Sequence, residues 1–243
     1  YIGNLEIGRL RAGEITFYNL DGDEIEKEPK EIKWDAQAAE KAGFEHFMMK
    51  EIHEQPKAIK DTLGSVVKDG KIDLSNVGLA KEDIENISQI HIVACGSAWH
   101  VGMVAQYVIE DLARIPVRVE LASEFRYRNP IIDKDALVII ISQSGETADS
   151  LAALREAKSR GIKTLGIVNV VGSSIAREAD NVFYTLAGPE ISVATTKAYS
   201  TQLIASYILA IEFAMVRGQI NQEQYDGFLS ELSELPDKIQ KII

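Results

Sequence analysis

The sequence predicts an α/β protein whose core is a doubly wound parallel sheet of five strands. Short apolar runs alternate with amphipathic helical segments along most of the chain, which is the order of βαβ units. Residues 137–141 read Leu-Val-Ile-Ile-Ile, a composition typical of a strand that helices cover on both faces. In such sheets ligands bind beyond the carboxyl ends of the strands, so the residues that follow each strand are the candidates for a site.

The amino-terminal region predicts a β-hairpin. Residues 14–20 and 24–26 are rich in strand-forming side chains, and an Asp-Gly turn at residues 21–22 separates them. Two strands alone are not stable, so we expect the hairpin to be the last part of a preceding domain, followed by the charged connector 29–33. The start at Tyr1 is neither a signal peptide nor an initiator methionine, and we expect the chain to be cut from a longer one.

From Trp34 the periodicity becomes helical. Apolar residues between Phe44 and Ile59 recur at helical intervals, which predicts an amphipathic linker helix broken near Pro56. Beyond the turn-rich stretch 68–76, the five strands are expected at residues 90–94, 117–121, 136–141, 164–169 and 182–186. The accompanying helices are expected at residues 98–112, 147–160, 174–178, 196–216 and 222–235, and no element is assigned to the tail from Pro236.

Composition narrows the classes of partner. The chain has 37 acidic and 26 basic residues and a net charge of -11, which opposes nucleic-acid binding. Its single cysteine excludes an internal disulfide and its four scattered histidines lack metal-ligand spacing, so neither a metal nor another cofactor is expected. No apolar run is expected to cross a membrane, and a reducing cytoplasm is the predicted location. An acidic protein that holds a phosphorylated ligand must use local hydroxyls and backbone amides.

The turn at residues 142–147, Ser-Gln-Ser-Gly-Glu-Thr, joins the most buried predicted strand to a helix. Unpaired amides at a helix start carry partial positive charge and bind phosphate without a lysine. A plain helix cap needs one hydroxyl, whereas Ser142, Ser144 and Thr147 offer three. Gln143 adds an amide, and Gly145 allows the backbone to approach a ligand. We therefore interpret residues 142–147 as an anion cradle.

A second glycine-containing turn, residues 94–98, follows the first strand of the predicted sheet. Glu120 ends the next strand about where a dinucleotide-binding fold has its ribose-binding acid. That fingerprint requires further glycines where this chain has Ala98 and Val101, so the dinucleotide interpretation fails. No histidine or basic residue is clearly placed to activate Cys95, which is expected to pack and to face the ligand with its backbone.

The third candidate segment, residues 188–197, follows the last predicted strand. Gly188 and Pro189 predict a loop, and Thr195 lies just before the long helix. A hydroxyl or an amide in this loop would cover the sugar end of a ligand. Lys197 could pair with an anion or be solvated, and solvation is the expectation.

Taken together, these segments resemble the sugar isomerase (SIS) family. The resemblance is carried by residues 45–56 (EHFMMKEIHEQP), 122–128 (ASEFRYR), 142–147 and 187–197, of which the first is the most specific. Within the family, the chain is similar to the glutamine-dependent enzymes that convert fructose 6-phosphate to glucosamine 6-phosphate. The resemblance spans essentially the whole chain.

The resemblance implies a domain organisation and a set of binding residues. Residues 1–33 would be the end of a glutaminase domain, 34–75 an interdomain segment, and 76–243 the first of two SIS domains with the start of the connection to the second. Fructose 6-phosphate or glucosamine 6-phosphate is the expected ligand, and a homodimer is the expected assembly. The implied phosphate contacts are Ser142, Gln143, Ser144, Thr147 and Ser97, and the implied sugar contacts are Cys95, Val193 and Thr195.

The resemblance also implies that the family's catalytic cysteine, glutamate, histidine and lysine lie outside residues 1–243, so no catalytic residue is assigned here. Glu146 is the only carboxylate expected near the cradle, and its place at a helix start makes it a cap rather than a base. The family often has a second hydroxyl where this chain has Ala98. One hydrogen bond fewer to a charged group costs about 1.5–3 kcal/mol unless water replaces it.

The sequence alone leaves two other functions open. The domain could be a non-catalytic sugar-phosphate sensor, which would require a basic helix-turn-helix segment that the acidic amino-terminal region does not offer. It could also be a dimerisation module. Long apolar helices such as residues 202–216 permit that function without requiring it.

Overall fold

The computed structural model describes residues 2–28 and 40–243. The chain divides into two compact units, Tyr1–Asp35 and Ala36–Ile243. The expected connector at residues 29–33 and the first part of the expected linker helix, residues 34–39, lie outside the described residues.

The first unit contains a three-stranded antiparallel sheet. Its strands are, in spatial order, β1 (Ile7–Arg11), β2 (Glu14–Tyr18) and β3 (Glu24–Ile25). The hairpin of β2 and β3 confirms the prediction, and Gly22 in its turn has a φ of 85°, a value that suits glycine. The sequence prediction missed β1 because Ile7 and Leu10 are three residues apart and break the period of two.

The second unit begins with two short helices, α1 (Phe47–His53) and α2 (Gln55–Val66). They meet at Glu54, and Pro56 lies in the first turn of α2, where its missing N–H costs no helical hydrogen bond. The predicted break is confirmed, but residues 40–46 form turns and bends, so the helical prediction was wrong there. A small hairpin follows, formed by β4 (Val67–Lys68) and β5 (Lys71–Ile72).

Five parallel strands form the central sheet of the second unit. They are β6 (Ile90–Ala94), β7 (Val117–Leu121), β8 (Leu137–Ser142), β9 (Lys163–Val168) and β10 (Asn181–Tyr184). The spatial order is β10-β9-β8-β6-β7, which confirms the predicted doubly wound α/β fold. Ala94 pairs with Ile141, so the carboxyl ends of β6 and β8 lie side by side. β7 lies on one side of β6 and β8 on the other, so the strand order reverses at β6, and the gap between β6 and β8 is the topological switch point.

Helices connect these strands and cover the sheet. Their bounds are α3 (Lys81–Asn86), α4 (Gly96–Ala113), α5 (Ala122–Tyr127), α6 (Ala148–Ser159), α7 (Ser174–Glu178), α8 (Lys197–Val216) and α9 (Gln222–Gln240). The prediction omitted α3 and α5, because six residues are too few to show a helical period. The tail from Pro236 is also helical. α9 continues to Gln240 because Leu235 and Ile239 pack against the core.

Two hydrophobic cores lie on opposite faces of the central sheet. Because side chains alternate along a strand, Leu137, Ile139 and Ile141 of β8 pack in one core, with α2, α4, α8 and α9. Val138 and Ile140 pack in the other core, with α5, α6 and α7. The result is a three-layer αβα arrangement in which β8 is buried along its whole length. This burial fixes the position of the turn that follows β8.

Within the described ranges, α8 is the one helix whose length and hydropathy would allow a membrane span, which corrects the expectation that no segment is apolar enough. In this fold 61% of its most apolar 18-residue stretch is buried. It contacts α2 and α4, and a helix that is covered on most sides is apolar nearly all round for that reason.

Candidate functional site

The turns after β6 and β8 meet at the switch point of the central sheet. α4 begins directly after the first turn and α6 directly after the second. The N-cap residues, Cys95 and Thr147, make no side-chain capping hydrogen bond. The first-turn amides of both helices therefore present partial positive charge at the same edge of the sheet without a cap that neutralises it.

A cavity of about 550 Å³ opens at this edge. It is lined by all eight residues predicted as contacts, namely Cys95, Ser97, Ser142, Gln143, Ser144, Thr147, Val193 and Thr195. The lining also includes six residues that were not predicted as contacts, namely Ala98, Ile141, Glu190, Ser192, Ala194 and Gln202. The three segments that follow β6, β8 and β10 thus form one concave surface.

The anion cradle is held in shape by its own hydroxyls. The amide of Gly145 donates to Ser142 Oγ at 3.0 Å, and the amide of Glu146 donates to Ser144 Oγ at 3.2 Å. Ser142 Oγ also lies 3.0 Å from Thr147 Oγ1. Because these oxygens accept from backbone amides, the proton of Ser144 and one proton of the Ser142–Thr147 pair stay available for an anion.

The cradle is fixed against the start of α7. Gly145 has a φ of 66°, and its carbonyl accepts from the amide of Ile175 at 3.0 Å. Glu146 Oε1 accepts from the amide of Ser174 at 2.8 Å. Glu146 therefore caps a helix, as predicted, but the helix is α7 rather than α6. Glu146 is exposed and does not line the cavity.

Glu190 is the carboxylate that lines the cavity, so the expectation that Glu146 alone lies near the cradle was wrong. Glu190 Oε1 accepts from the amide of Thr196 at 2.8 Å and from the amide of Ala198 at 3.3 Å. Its Oε2 accepts from Thr195 Oγ1 at 2.8 Å. Glu190 thus caps α8. Of the three helix starts at the cavity, α8 is capped by this carboxylate, α4 has no acidic residue in its first turn, and α6 has Asp149, which pairs with Arg126 at 3.3 Å.

The loop at residues 188–196 is anchored at its start by Asn169. Asn169 Nδ2 donates to the carbonyl of Gly188 at 2.7 Å, and Asn169 Oδ1 accepts from the amide of Ala187 at 2.8 Å. The amide of Asn169 donates to the carbonyl of Gln143 at 3.1 Å, so this residue also contacts the cradle. Val193, at the tip of the loop, is fully exposed. The sheet edge therefore sets the position of the loop relative to the cradle.

Lys197 is buried, so the expectation of a solvated side chain was wrong. Its side chain is 3% exposed, and its Nζ lies 2.6 Å from Glu54 Oε2. Glu54 Oε1 lies 3.2 Å from Lys50 Nζ, so one carboxylate pairs with two lysines. A buried ammonium group requires such a partner because leaving water is costly for a charge. Local sequence patterns could not show this pair, since its members are 143 residues apart.

Gln202 is a polar lining residue that sequence reasoning missed. It lies in the apolar helix α8 and is 3% exposed. In the part of the chain that the structure describes, its side-chain amide forms no hydrogen bond, while its backbone carbonyl accepts one from Ser206 Oγ. The amide atoms are not among the buried unpaired side-chain atoms of the described residues, so they open into the cavity. The sequence did contain a sign of this residue, because a glutamine within a mostly apolar helix is unusual unless it binds a ligand or another polar group.

Glu120 would bind the ribose in a dinucleotide site, and Cys95 would be the nucleophile in covalent catalysis. In the structure both side chains have partners within the fold. Glu120 Oε1 accepts from Arg128 Nη2 at 2.6 Å and lies 3.2 Å from His91 Nδ1. Burial acts to raise the pKa of Glu120, but the hydrogen bonds from Arg128 and His91 outweigh it and lower the pKa. Cys95 Sγ accepts a contact of 3.9 Å from Ser150 Oγ. Both residues are engaged within the fold.

Comparisons with known proteins agree on the family. Residues 83–212 match the SIS domain model. A glutamine–fructose-6-phosphate aminotransferase (isomerizing) from Caldanaerobacter subterraneus subsp. tengcongensis is 54% identical over the whole chain, and one of the same name from Clostridium tetani is 57% identical over 94% of the chain. The C-terminal domain of glucosamine-fructose-6-phosphate aminotransferase from Francisella tularensis is 42% identical, with a TM-score of 0.78 over 82% of this chain and 56% of that one.

The chain spans 40% of the Caldanaerobacter relative and 38% of the Clostridium tetani relative. The range matched by the SIS domain model contains every residue that lines the cavity. The chain therefore belongs to the SIS domain family, and the curated relatives that it matches along its whole length are glutamine–fructose-6-phosphate aminotransferases.

Proposed function

We propose that this chain is the sugar-phosphate-binding part of an enzyme that uses ammonia from glutamine to convert fructose 6-phosphate to glucosamine 6-phosphate. The observation that carries the proposal is the pair of helix starts, α4 and α6, that meet without capping side chains at the hydroxyl-rich cradle. A phosphate at that point would accept hydrogen bonds from backbone amides and from hydroxyls. The name of the relatives supports the same substrate.

In the proposed complex the phosphate lies between the cradle and the start of α4. Ser142, Gln143, Ser144 and Thr147 contact it from one side and Ser97 from the other. Among the described residues, the lining of the cavity includes no lysine or arginine. The net charge of the chain is -11, so the positive potential that attracts the phosphate comes from the aligned amides of the two helices.

The sugar then extends toward the loop at residues 188–196. Cys95, Val193 and Thr195 border this side of the cavity, as the family resemblance implies. We add Gln202, because its side chain lines the cavity and its amide forms no hydrogen bond among the described residues. An amide both donates and accepts, which suits the hydroxyl groups of a sugar.

We assign binding rather than proton transfer to this chain. Isomerisation of the sugar requires a base at C1 and C2. Glu146 accepts a hydrogen bond from the first turn of α7, and Glu190 accepts several at the start of α8. We therefore place the catalytic groups in other parts of a longer enzyme.

Within that longer enzyme, we propose that residues 1–33 end a glutaminase domain, that residues 34–75 link the domains, and that residues 76–243 form the first SIS domain. The proposed assembly is a homodimer, and the proposed location is the cytoplasm. Both follow from the family resemblance and from the soluble, biosynthetic character of such an enzyme.

The test is ligand-dependent stability. Fructose 6-phosphate and glucosamine 6-phosphate should raise the melting temperature of the chain, and unphosphorylated fructose should not. Ser144→Ala should weaken fructose 6-phosphate binding by about tenfold to a hundredfold, the equivalent of one hydrogen bond to a charged group. Calorimetric titration measures this change directly.

Ser159→Ala is the matched control, because Ser159 lies at the other end of α6 and its hydroxyl donates to the carbonyl of Glu156 at 2.9 Å. This variant should bind fructose 6-phosphate as the wild type does. Equal stabilisation by fructose and fructose 6-phosphate would contradict the phosphate site. So would a Ser144→Ala variant that binds with unchanged affinity.

A further inference from the structure

Glu51 of α1 contacts the loop that borders the sugar side of the cavity. The residue is 1% exposed, and its Oε1 accepts from the amide of Ile191 at 2.6 Å and from the amide of Ser192 at 3.2 Å. The partners are 140 and 141 residues away in sequence. Glu51 Oε2 is buried and has no hydrogen-bonding partner among the described residues.

A buried carboxylate with one unpaired oxygen is costly, because desolvation of the charge is only partly offset by two hydrogen bonds. An uncharged side chain of the same size would pack here at lower cost. The charge strengthens the hydrogen bonds to the two loop amides, since bonds to an ionised acceptor are about twice as strong as neutral ones. A carboxylate at residue 51 therefore serves to hold the loop rather than to stabilise the core.

Among the residues that the structure describes, side chains hold the loop at three points. Asn169 holds its start through the carbonyl of Gly188, and Glu190 holds its end through Thr195 and the first turn of α8. Glu51 holds the middle, immediately before Val193. Of the three, Glu51 alone belongs to the helix pair α1–α2, which lies outside the range matched by the SIS domain model.

The same helix pair also forms polar contacts with the start of α8. Lys197 Nζ lies 2.6 Å from Glu54 Oε2, and Ser200 Oγ donates to Gln55 Oε1 at 2.6 Å. Residues 51–55 thus contact both the loop and the helix that follows it. Movement of α1 would move the amides of Ile191 and Ser192 relative to the cradle, which is attached to the sheet instead.

We propose that Glu51 is a positioning residue that sets the geometry of the sugar side of the site, by holding the loop so that Val193 and Thr195 face the ligand. The proposal rests on the proposed function of the cavity. Its consequence is that the SIS domain alone does not complete the site, because the segment before the domain supplies the support for the loop. Phosphate recognition at the cradle does not involve Glu51.

The test compares Glu51→Met, which keeps the length of the side chain and removes the carboxylate, with Glu51→Gln, which keeps an uncharged acceptor. Calorimetry on the full chain measures the affinities for fructose 6-phosphate and for inorganic phosphate. Glu51→Met should bind fructose 6-phosphate about tenfold more weakly, Glu51→Gln should lie between it and the wild type, and inorganic phosphate affinity should stay within about twofold. Hydrogen exchange at the amides of Ile191 and Ser192 should accelerate in the same order.

Glu212→Gln is the matched control, because Glu212 is a half-buried carboxylate that accepts from the Tyr225 hydroxyl at 3.3 Å and does not line the cavity. It should alter neither affinity. The proposal is overturned if Glu51→Met binds fructose 6-phosphate as the wild type does, if it loses both affinities equally, or if amide exchange in the loop is unchanged. A wild-type chain that does not bind fructose 6-phosphate overturns the proposed function itself.

Discussion

Replacement of Gly145 by alanine should destabilise the protein, because the cradle has no room for a Cβ at this position and holds its backbone in a left-handed conformation. Gly145 has a φ of 66°, and the left-handed conformation costs a residue with a Cβ about 1–2 kcal/mol. The new Cβ would also lie 2.6 Å from Ser173 Cβ and closer still to Ser173 Oγ. The hydroxyl could rotate away, but the Cβ is held by the backbone at the start of α7. Forced displacement in a packed site costs a further 1–3 kcal/mol or so, which makes the expected loss about 2–5 kcal/mol.

Urea denaturation measures this loss as a lower midpoint at an unchanged slope. Gly161→Ala is the matched control, since Gly161 has a φ of 72° and its added Cβ would meet no atom within 4 Å. That variant should lose only the conformational part, about 1–2 kcal/mol. In the double variant Gly145→Ala/Ser173→Gly, the steric part should disappear, and the loss should approach that of Gly161→Ala.

The result that would refute this reasoning is a Gly145→Ala variant no less stable than Gly161→Ala. Ser173 would then not be fixed by α7, and the cradle would be softer than its hydrogen bonds indicate. A double variant as unstable as Gly145→Ala alone would place the cost elsewhere than at Ser173.

Two further predictions concern Gln202 and His91. Gln202→Leu removes an amide that lines the cavity and forms no hydrogen bond among the described residues, so fructose 6-phosphate affinity should fall while the free energy of unfolding stays within about 1 kcal/mol of the wild type. Calorimetry and urea unfolding check both, and an unchanged affinity contradicts the reasoning. Burial lowers the pKa of His91 despite the opposing hydrogen bond with Glu120. Because the unfolded chain then takes up the proton first, stability present above the ordinary value of 6.5 is lost as the pH falls toward the lowered pKa. The unfolding free energy should therefore fall less in His91→Gln than in the wild type between about pH 7 and pH 5, and equal losses would contradict this.

The central sheet and its turns could be predicted because their signals are local. β6 and β7 have the predicted bounds, since a short apolar run marks the buried strand β6 and alternation of apolar and polar residues marks the edge strand β7 without reference to the rest of the fold. Because the strands are parallel, the turns after β6 and β8 were expected at the same edge of the sheet, whereas the assignment of Ser97 and Ser144 to one ligand came from the family resemblance. The shortest helices, α3 and α5, are too short to carry such a signal.

The sequence by itself therefore determined the sheet, the position of the turn at residues 142–147 and the hydroxyl-rich composition of that turn, because periodicity and turn chemistry act over a few residues. Tertiary structure alone decided which distant groups support the site. Glu51 reaches the loop, Glu54 pairs with Lys197, and Gln202 faces the cavity from an apolar helix. The first two contacts join residues about 140 positions apart, and the third depends on which side of α8 meets the cleft. Burial and pairing of these groups depend on the packing of helices against the sheet, which no local pattern encodes.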